Sequence, residues 1–267
     1  MPKETRAGFA TSWTTYGQGD RPALMLHCSL GQASAWKGVA KALNNSLHMV
    51  AMDLPGHGAS DIWDDRADYK KTCVDTAATF LDQKMDIIGH SFGAAVALRL
   101  AQENPDRVRS LTLIEPVFFA VAFAGDDTAR ATYDQDHDPF FHAYQSGDLA
   151  RATELFTTLW GGSDWSRIPA PVQKYMVDRI NIVAATNESL LNDNAGLAEQ
   201  GKLENILCPT LIVEAENTVA IMRNITAELE RRIPDAKRVI IKGSAHMVPM
   251  SHANELSMHI AEVLANS

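Results

Sequence analysis

"MDIIGHSFGAAVALRLAQEN", residues 85–104, sets an apolar run of strand length directly against a helical pattern, with one serine at the joint. Gly89 and Gly93 flank His90-Ser91-Phe92 and give the spacing G-x-S-x-G. A strand–turn–helix of this kind needs small residues on both sides of the serine so that strand and helix can approach closely. It holds the hydroxyl clear of the chain, with the helix N-terminus beneath it. Ser91 is the candidate nucleophile; the structural alternative is a serine that only caps the helix. His90, the variable position of the motif, reads as structural.

The same alternation runs outward in both directions. Strand-length apolar runs fall at 23–28, 47–54, 108–115, 209–215 and 237–243, and helical patterns at 34–45, 68–82, 221–233 and 254–264. Their apolarity is continuous rather than alternating, as in strands buried on both faces, so an α/β fold with a mostly parallel central sheet flanked by helices is expected. Between Pro116 and Pro209 the pattern changes to aromatics and helical periodicity with no strand. A structureless loop of that length is implausible in a compact domain. The expectation is a core of residues 1–116 and 205–267 with residues 117–204 inserted as a helical cap over the sheet's C-terminal edge. Phe118, Phe119, Phe123, Phe140, Phe141, Tyr144, Phe156 and Trp160 could line a pocket there, although packing of cap onto core is the expectation for most of them.

Composition narrows the function classes. The chain has 267 residues, 46% of them hydrophobic, and a net charge of −9 with no basic stripe, which argues against nucleic acid or an anionic membrane as partner. Cys28, Cys73 and Cys208 match no metal-binding spacing, and an odd, unframed set suits reduced thiols in the cytoplasm. No apolar run has the length of a membrane span, and the N-terminus lacks the apolar segment of a secretory signal.

A serine hydroxyl needs a base. "GSAHMVPMSH" (243–252) follows the last strand, and His246 within it falls on a loop at the same sheet edge as Ser91. His252 reads as a helix-start residue. With these motifs in place the chain resembles the α/β-hydrolase superfamily over nearly everything outside the cap: "LMLHCSLG", "MDLPGHGASD", "GHSFG" and "GSAHMVP" occur in the family's order. The resemblance implies a serine hydrolase with an oxyanion hole made by the backbone N–H groups of Phe92 and Ser29. His57, in "DLPGHGAS", is expected to make packing or polar contacts. Cys28 stands where the family usually has glycine, which requires a negative φ there; an inert buried thiol is expected.

The acid of the triad is the open point. The family's usual aspartate corresponds to Thr218, which cannot carry charge. Some members, haloalkane dehalogenases among them, draw the acid from the end of the sixth strand, and in "LTLIEPVFF" (111–119) that position is Glu115. Glu115 is the first choice, Glu216 the second, with Glu214 and Asn217 behind them. The alternative for Glu115 is a carboxylate bonding backbone N–H groups where the cap begins. The expected reaction is hydrolysis of a small-molecule carboxylic ester or lactone through an acyl-enzyme, without metal or organic cofactor. A C–C bond hydrolase with the same triad, or a non-catalytic ligand-binding relative, remain as alternatives, and a homo-oligomer is compatible with either.

Overall fold

The computed structural model describes residues 1–63, 68–123, 127–161 and 164–267. Its first strands are β1 (Lys3–Arg6), β2 (Phe9–Tyr16) and β3 (Arg21–Leu26), followed by α1 (Lys37–Ala42), β4 (Leu47–Met52) and α2 (Tyr69–Ala78). Then come β5 (Met85–His90), α3 (Phe92–Glu103) and β6 (Val108–Ile114). A helical stretch follows: α4 (Phe119–Phe123), α5 (Asp127–Gln145), α6 (Leu149–Gly161), α7 (Ala170–Val177) and α8 (Ile180–Leu191). The chain closes with β7 (Thr210–Ala215), α9 (Ala220–Arg232), β8 (Ala236–Ile241), α10 (Val248–Ser251) and α11 (Ala253–Ala265).

The strands form one sheet in the order β1-β2-β4-β3-β5-β6-β7-β8, parallel from β4 to β8. Both faces are covered, as the continuous apolarity requires. Along β3, Leu24 and Leu26 join one buried cluster with Ile87, Leu98 and Met222, while Ala23 and Met25 join the other with Val39, Leu256 and Ile260. This is the two-residue period of a strand packed on both sides. The antiparallel hairpin β1–β2, paired to β4 through Trp13 opposite Met52, lies outside the strands anticipated from sequence. It is an edge with exposed or half-buried positions, so it lacks the continuous apolar run that marks the others. The helix anticipated over 34–45 is a 3-10 turn at Ala33–Trp36 followed by the short α1.

Chain direction fixes where a site can form. From β3 the next strand, β4, lies on one side, and β5 lies on the other. Loops leaving the C-terminal ends of β3 and β5 therefore diverge and open a crevice between them, the usual ligand position in an open α/β sheet. The helical stretch contributes a third buried cluster, in which Leu30 of the β3 loop packs with Phe140, Ala152, Ile180 and Val183. Of the expected cap segment, residues 124–126 and 162–163 lie outside the described residues.

Candidate active site

The turn after β5 is dictated by crowding. A Cβ on Gly89 would sit 2.4 Å from the carbonyl oxygen of Gly93, and one on Gly93 would sit 2.1 Å from that of Leu26, so neither position admits a side chain. Between them Ser91 adopts φ 55° and ψ −117°. A non-glycine residue held there costs about 1–3 kcal/mol. Ser91 N–H donates to Ile114 C=O (2.8 Å), and Ser91 C=O accepts from Ala94 N–H (3.0 Å) and Ala95 N–H (3.2 Å), which pins the strained residue.

Ser91 Oγ lies 2.9 Å from His246 Nε2, and His246 Nδ1 lies 3.0 Å from Glu115 Oε2. All three side chains are buried, Glu115 completely. In the neutral ring, an Nδ1–H that donates to the carboxylate leaves Nε2 as the acceptor facing the serine hydroxyl. Glu115, the residue after β6, has φ 48°. Its Oε1 accepts from Ala215 N–H at 2.7 Å, and its Oε2 accepts from Thr218 Oγ1 as well as from His246. The cost of burying a carboxylate is thus met by three donors. The backbone amide that Glu115 bonds belongs to the end of β7 and not to the start of the helical stretch, and the same carboxylate also meets the histidine. Thr218, at the position where the family usually has its aspartate, donates its hydroxyl to Glu115, a role that its lack of charge does not reveal.

The other acid candidates are occupied elsewhere. Glu216 Oε2 accepts from Gly243 N–H (2.8 Å) on the protein surface. Glu214 is buried against Thr226 and Arg238. The backbone of Asn217 donates to Ser244 C=O at 2.9 Å.

Three further buried histidines brace the site. His90 Nε2–H donates to the backbone carbonyl of His246 (2.8 Å), tying the turn that carries Ser91 to the loop that carries its partner. His57 Nδ1 donates to Pro55 C=O (3.0 Å), and its Nε2 accepts from Leu30 N–H (3.1 Å). His27 Nδ1 bonds Cys28 C=O (2.7 Å) and its Nε2 accepts from Leu54 N–H (3.0 Å). Burial, and the neighbouring rings His246 and His27 respectively, push His90 and His57 down to about 3, so both rings are neutral at ordinary pH.

The loop after β3 carries Ser29. Among the described residues neither Ser29 N–H nor Phe92 N–H has an acceptor. Phe92 is the first residue of α3, where an amide has no partner within the helix. Cys28 does not have the positive φ of a glycine-requiring position; that conformation falls to Leu30, at φ 59°. The Cys28 thiol is buried, which pushes it up to about 12. Tyr175 of α7 grips the loop from the helical side, donating to Gly31 C=O (2.8 Å) and accepting from Gly58 N–H (2.8 Å).

Ser91 stands where two cavities meet. An outer one of 320 Å³ is bounded by His246, Met247, Met250, Val172 and Met176, and an inner one of 40 Å³ by residues of the helical stretch. Phe119, Phe140, Phe141, Phe156 and Trp160 line the inner cavity, and the same rings pack in the buried clusters, so lining and packing go together. Phe118 is fully buried in the core instead. Tyr133, His137 and Asn187 also line the inner cavity and carried no sequence signal. Among the described residues no cluster of His, Cys, Asp and Glu could hold a metal ion, and no helix is long and apolar enough to cross a membrane.

Comparison with known proteins agrees with this architecture. The pimeloyl-[acyl-carrier protein] methyl ester esterase of Proteus mirabilis is 27% identical over 251 residues, covering 92% of this chain and 93% of its own. The (E)-2-((N-methylformamido)methylene)succinate hydrolase of Acinetobacter baylyi is 20% identical over 241 residues, covering 88% and 86%. A solved thermophilic esterase superposes with a TM-score of 0.75 at 20% identity, covering 99% of this chain and 97% of that one. The model of the alpha/beta hydrolase family matches residues 23–257, and the chain belongs to that family.

Proposed function

We propose that the chain is a serine hydrolase that cleaves a small-molecule carboxylic ester or lactone, with Ser91 as nucleophile, His246 as base and Glu115 as the acid that orients it. The observation that carries this reading is the hydrogen-bonded chain Glu115–His246–Ser91, ending at the junction of two cavities. Residues 117–204 act as the cap over a core of 1–116 and 205–267.

The cycle needs no metal or cofactor. Ser91 Oγ bonds to the carbonyl carbon as its proton passes to His246 Nε2, and Glu115 stabilises the resulting imidazolium. The oxyanion is met by the N–H groups of Ser29 and Phe92, each worth roughly 2.7–4 kcal/mol in the transition state. Collapse breaks the C–O bond, and His246 returns the proton to the departing alkoxide. Water, deprotonated by His246, then adds to the acyl-enzyme and releases the carboxylic acid and free Ser91.

The esterase name of the Proteus relative supports acyl transfer to water. The Acinetobacter relative is named for a succinate; here the described lining of both cavities contains no Lys or Arg to pair a carboxylate, which favours a neutral substrate. A panel of p-nitrophenyl esters from acetate to octanoate tests the proposal beside Ser91→Ala. Turnover that disappears in the variant is expected. Turnover that persists in it refutes the assignment of Ser91.

A further inference from the structure

The two cavities differ in what they can hold, and the catalytic geometry says which half of the substrate each receives. This step rests on the serine hydrolase reading. His246 must hand its proton to the leaving alkoxide, and His246 bounds the outer cavity but not the inner one. On that ground the alcohol is placed outward, in 320 Å³ whose apolar lining includes Ile168, Val172, Met176, Met247 and Met250, and the acyl tail inward, in 40 Å³. A water molecule needs roughly 10–15 Å³ of cavity, so the inner space seats about three heavy atoms.

Polar groups inside are neutral and nearly all spent on one another. His137 Nδ1 donates to Tyr133 C=O at 2.8 Å, and its Nε2 accepts from Trp160 Nε1–H at 3.2 Å. That pattern requires the uncharged ring, in keeping with the lowering that burial imposes on its pKa. Tyr133 donates its hydroxyl to Asn187 Oδ1 at 2.7 Å, which fixes the amide so that Nδ2 is left over. Asn187 Nδ2 has no acceptor among the described residues, although the side chain lines the cavity. Asn187 thus keeps two N–H donors without an acceptor among the described residues, at a cavity lined mainly by rings and aliphatic side chains. No Lys, Arg, Asp or Glu lines it among the described residues.

We infer that the inner cavity is an acyl subsite for a short, uncharged tail bearing a hydrogen-bond acceptor, such as an ether or carbonyl oxygen, which Asn187 Nδ2 recognises. The esters it favours combine that small polar acyl group with a larger apolar alcohol. An amide donor left unpaired by an all-carbon tail provides the discrimination, because a buried polar group without a partner is costly.

Two isosteric pairs test this: the p-nitrophenyl esters of methoxyacetate against butyrate, and of 3-methoxypropionate against valerate. Each kcat/KM is divided by the ester's own rate of alkaline hydrolysis, which removes intrinsic reactivity. At least one ether ester should be preferred in the native enzyme. That preference should fall about three- to tenfold in Asn187→Leu, the size of one neutral hydrogen bond. Asn187→Asp keeps the shape and the acceptor for Tyr133 but loses the donors, and it should lose the preference equally; it carries the comparison if Asn187→Leu fails to fold. Ratios that are the same in native enzyme and variants overturn the subsite and leave the hydrolase reading standing. Absence of turnover with every ester, in enzyme of native fold, overturns both.

Discussion

Replacing Glu115 with glutamine exchanges one carboxylate oxygen for an NH2 group at the point where the site is most constrained. The carboxylate accepts from Ala215 N–H on Oε1 and from both Thr218 and His246 on Oε2. A glutamine has one oxygen, and the backbone amide of Ala215, which cannot move without shifting β7, claims it. The new NH2 group then faces His246 Nδ1 and donates to it, so the proton of the ring moves to Nε2. In that tautomer His246 cannot accept from Ser91. A wrong-tautomer substitution of this kind costs about 10⁴ in kcat in serine proteases, about 5 kcal/mol of transition-state stabilisation. The fold should survive, because volume and the Ala215 bond are retained. The assay is ester turnover by Glu115→Gln, beside a thermal melt and circular dichroism. A fall of about three to four orders of magnitude in kcat, with a melt within a few degrees of native, is expected. Near-normal turnover in folded protein refutes the reasoning and makes Glu216→Gln the next variant.

Other consequences follow from the buried histidines and the thiol. His90→Leu removes the donor that holds the His246 carbonyl, so kcat should fall about tenfold; a fall no smaller than that of the Ser91 variant would give His90 a different role. His57 and His90 are neutral in the folded protein with pKa values pushed down to about 3, whereas unfolded histidines take up a proton near pH 6.5. Their contribution is therefore complete above that pH and is lost as pH falls towards 3. Urea unfolding at pH 7.5 and pH 5 should differ by about 4 kcal/mol from these two rings, and equal stability at both pH values contradicts their neutral burial. Cys28, buried and with its thiol pushed up to about 12, should resist iodoacetamide at pH 7.5, so turnover should be unchanged over an hour; rapid inactivation that Cys28→Ala abolishes would show an accessible thiolate.

The parts of the site that lie in local sequence were legible. Residues 85–104 specify their turn through Gly89 and Gly93, whose missing side chains are a steric necessity of the strand–helix approach. Glu115 could be singled out because it ends the apolar run of residues 108–115 while Thr218, at the family's usual acid position, carries no charge; its three donors come together only in the fold. The partnership of Thr218 with that carboxylate was hidden, because a threonine hydroxyl serves equally as cap, surface group or ligand until its neighbours are known. Tyr133, His137 and Asn187 were also silent. They sit on α5 and α8, and which side of such a helix faces the cavity is settled by packing against other helices rather than by periodicity alone. The hairpin β1–β2 was missed for a related reason, since an edge exposed to water does not need an apolar run.

Catalysis as proposed requires a covalent bond between Ser91 and the acyl group. The most direct measurement is mass spectrometry of the protein after treatment with an uncharged p-nitrophenyl alkylphosphonate, which leaves a stable phosphonyl group on an activated serine. One adduct per chain, on the peptide containing Ser91 and forming in step with loss of turnover, is the expected result. Turnover that survives full labelling, or an adduct on any other residue, contradicts it.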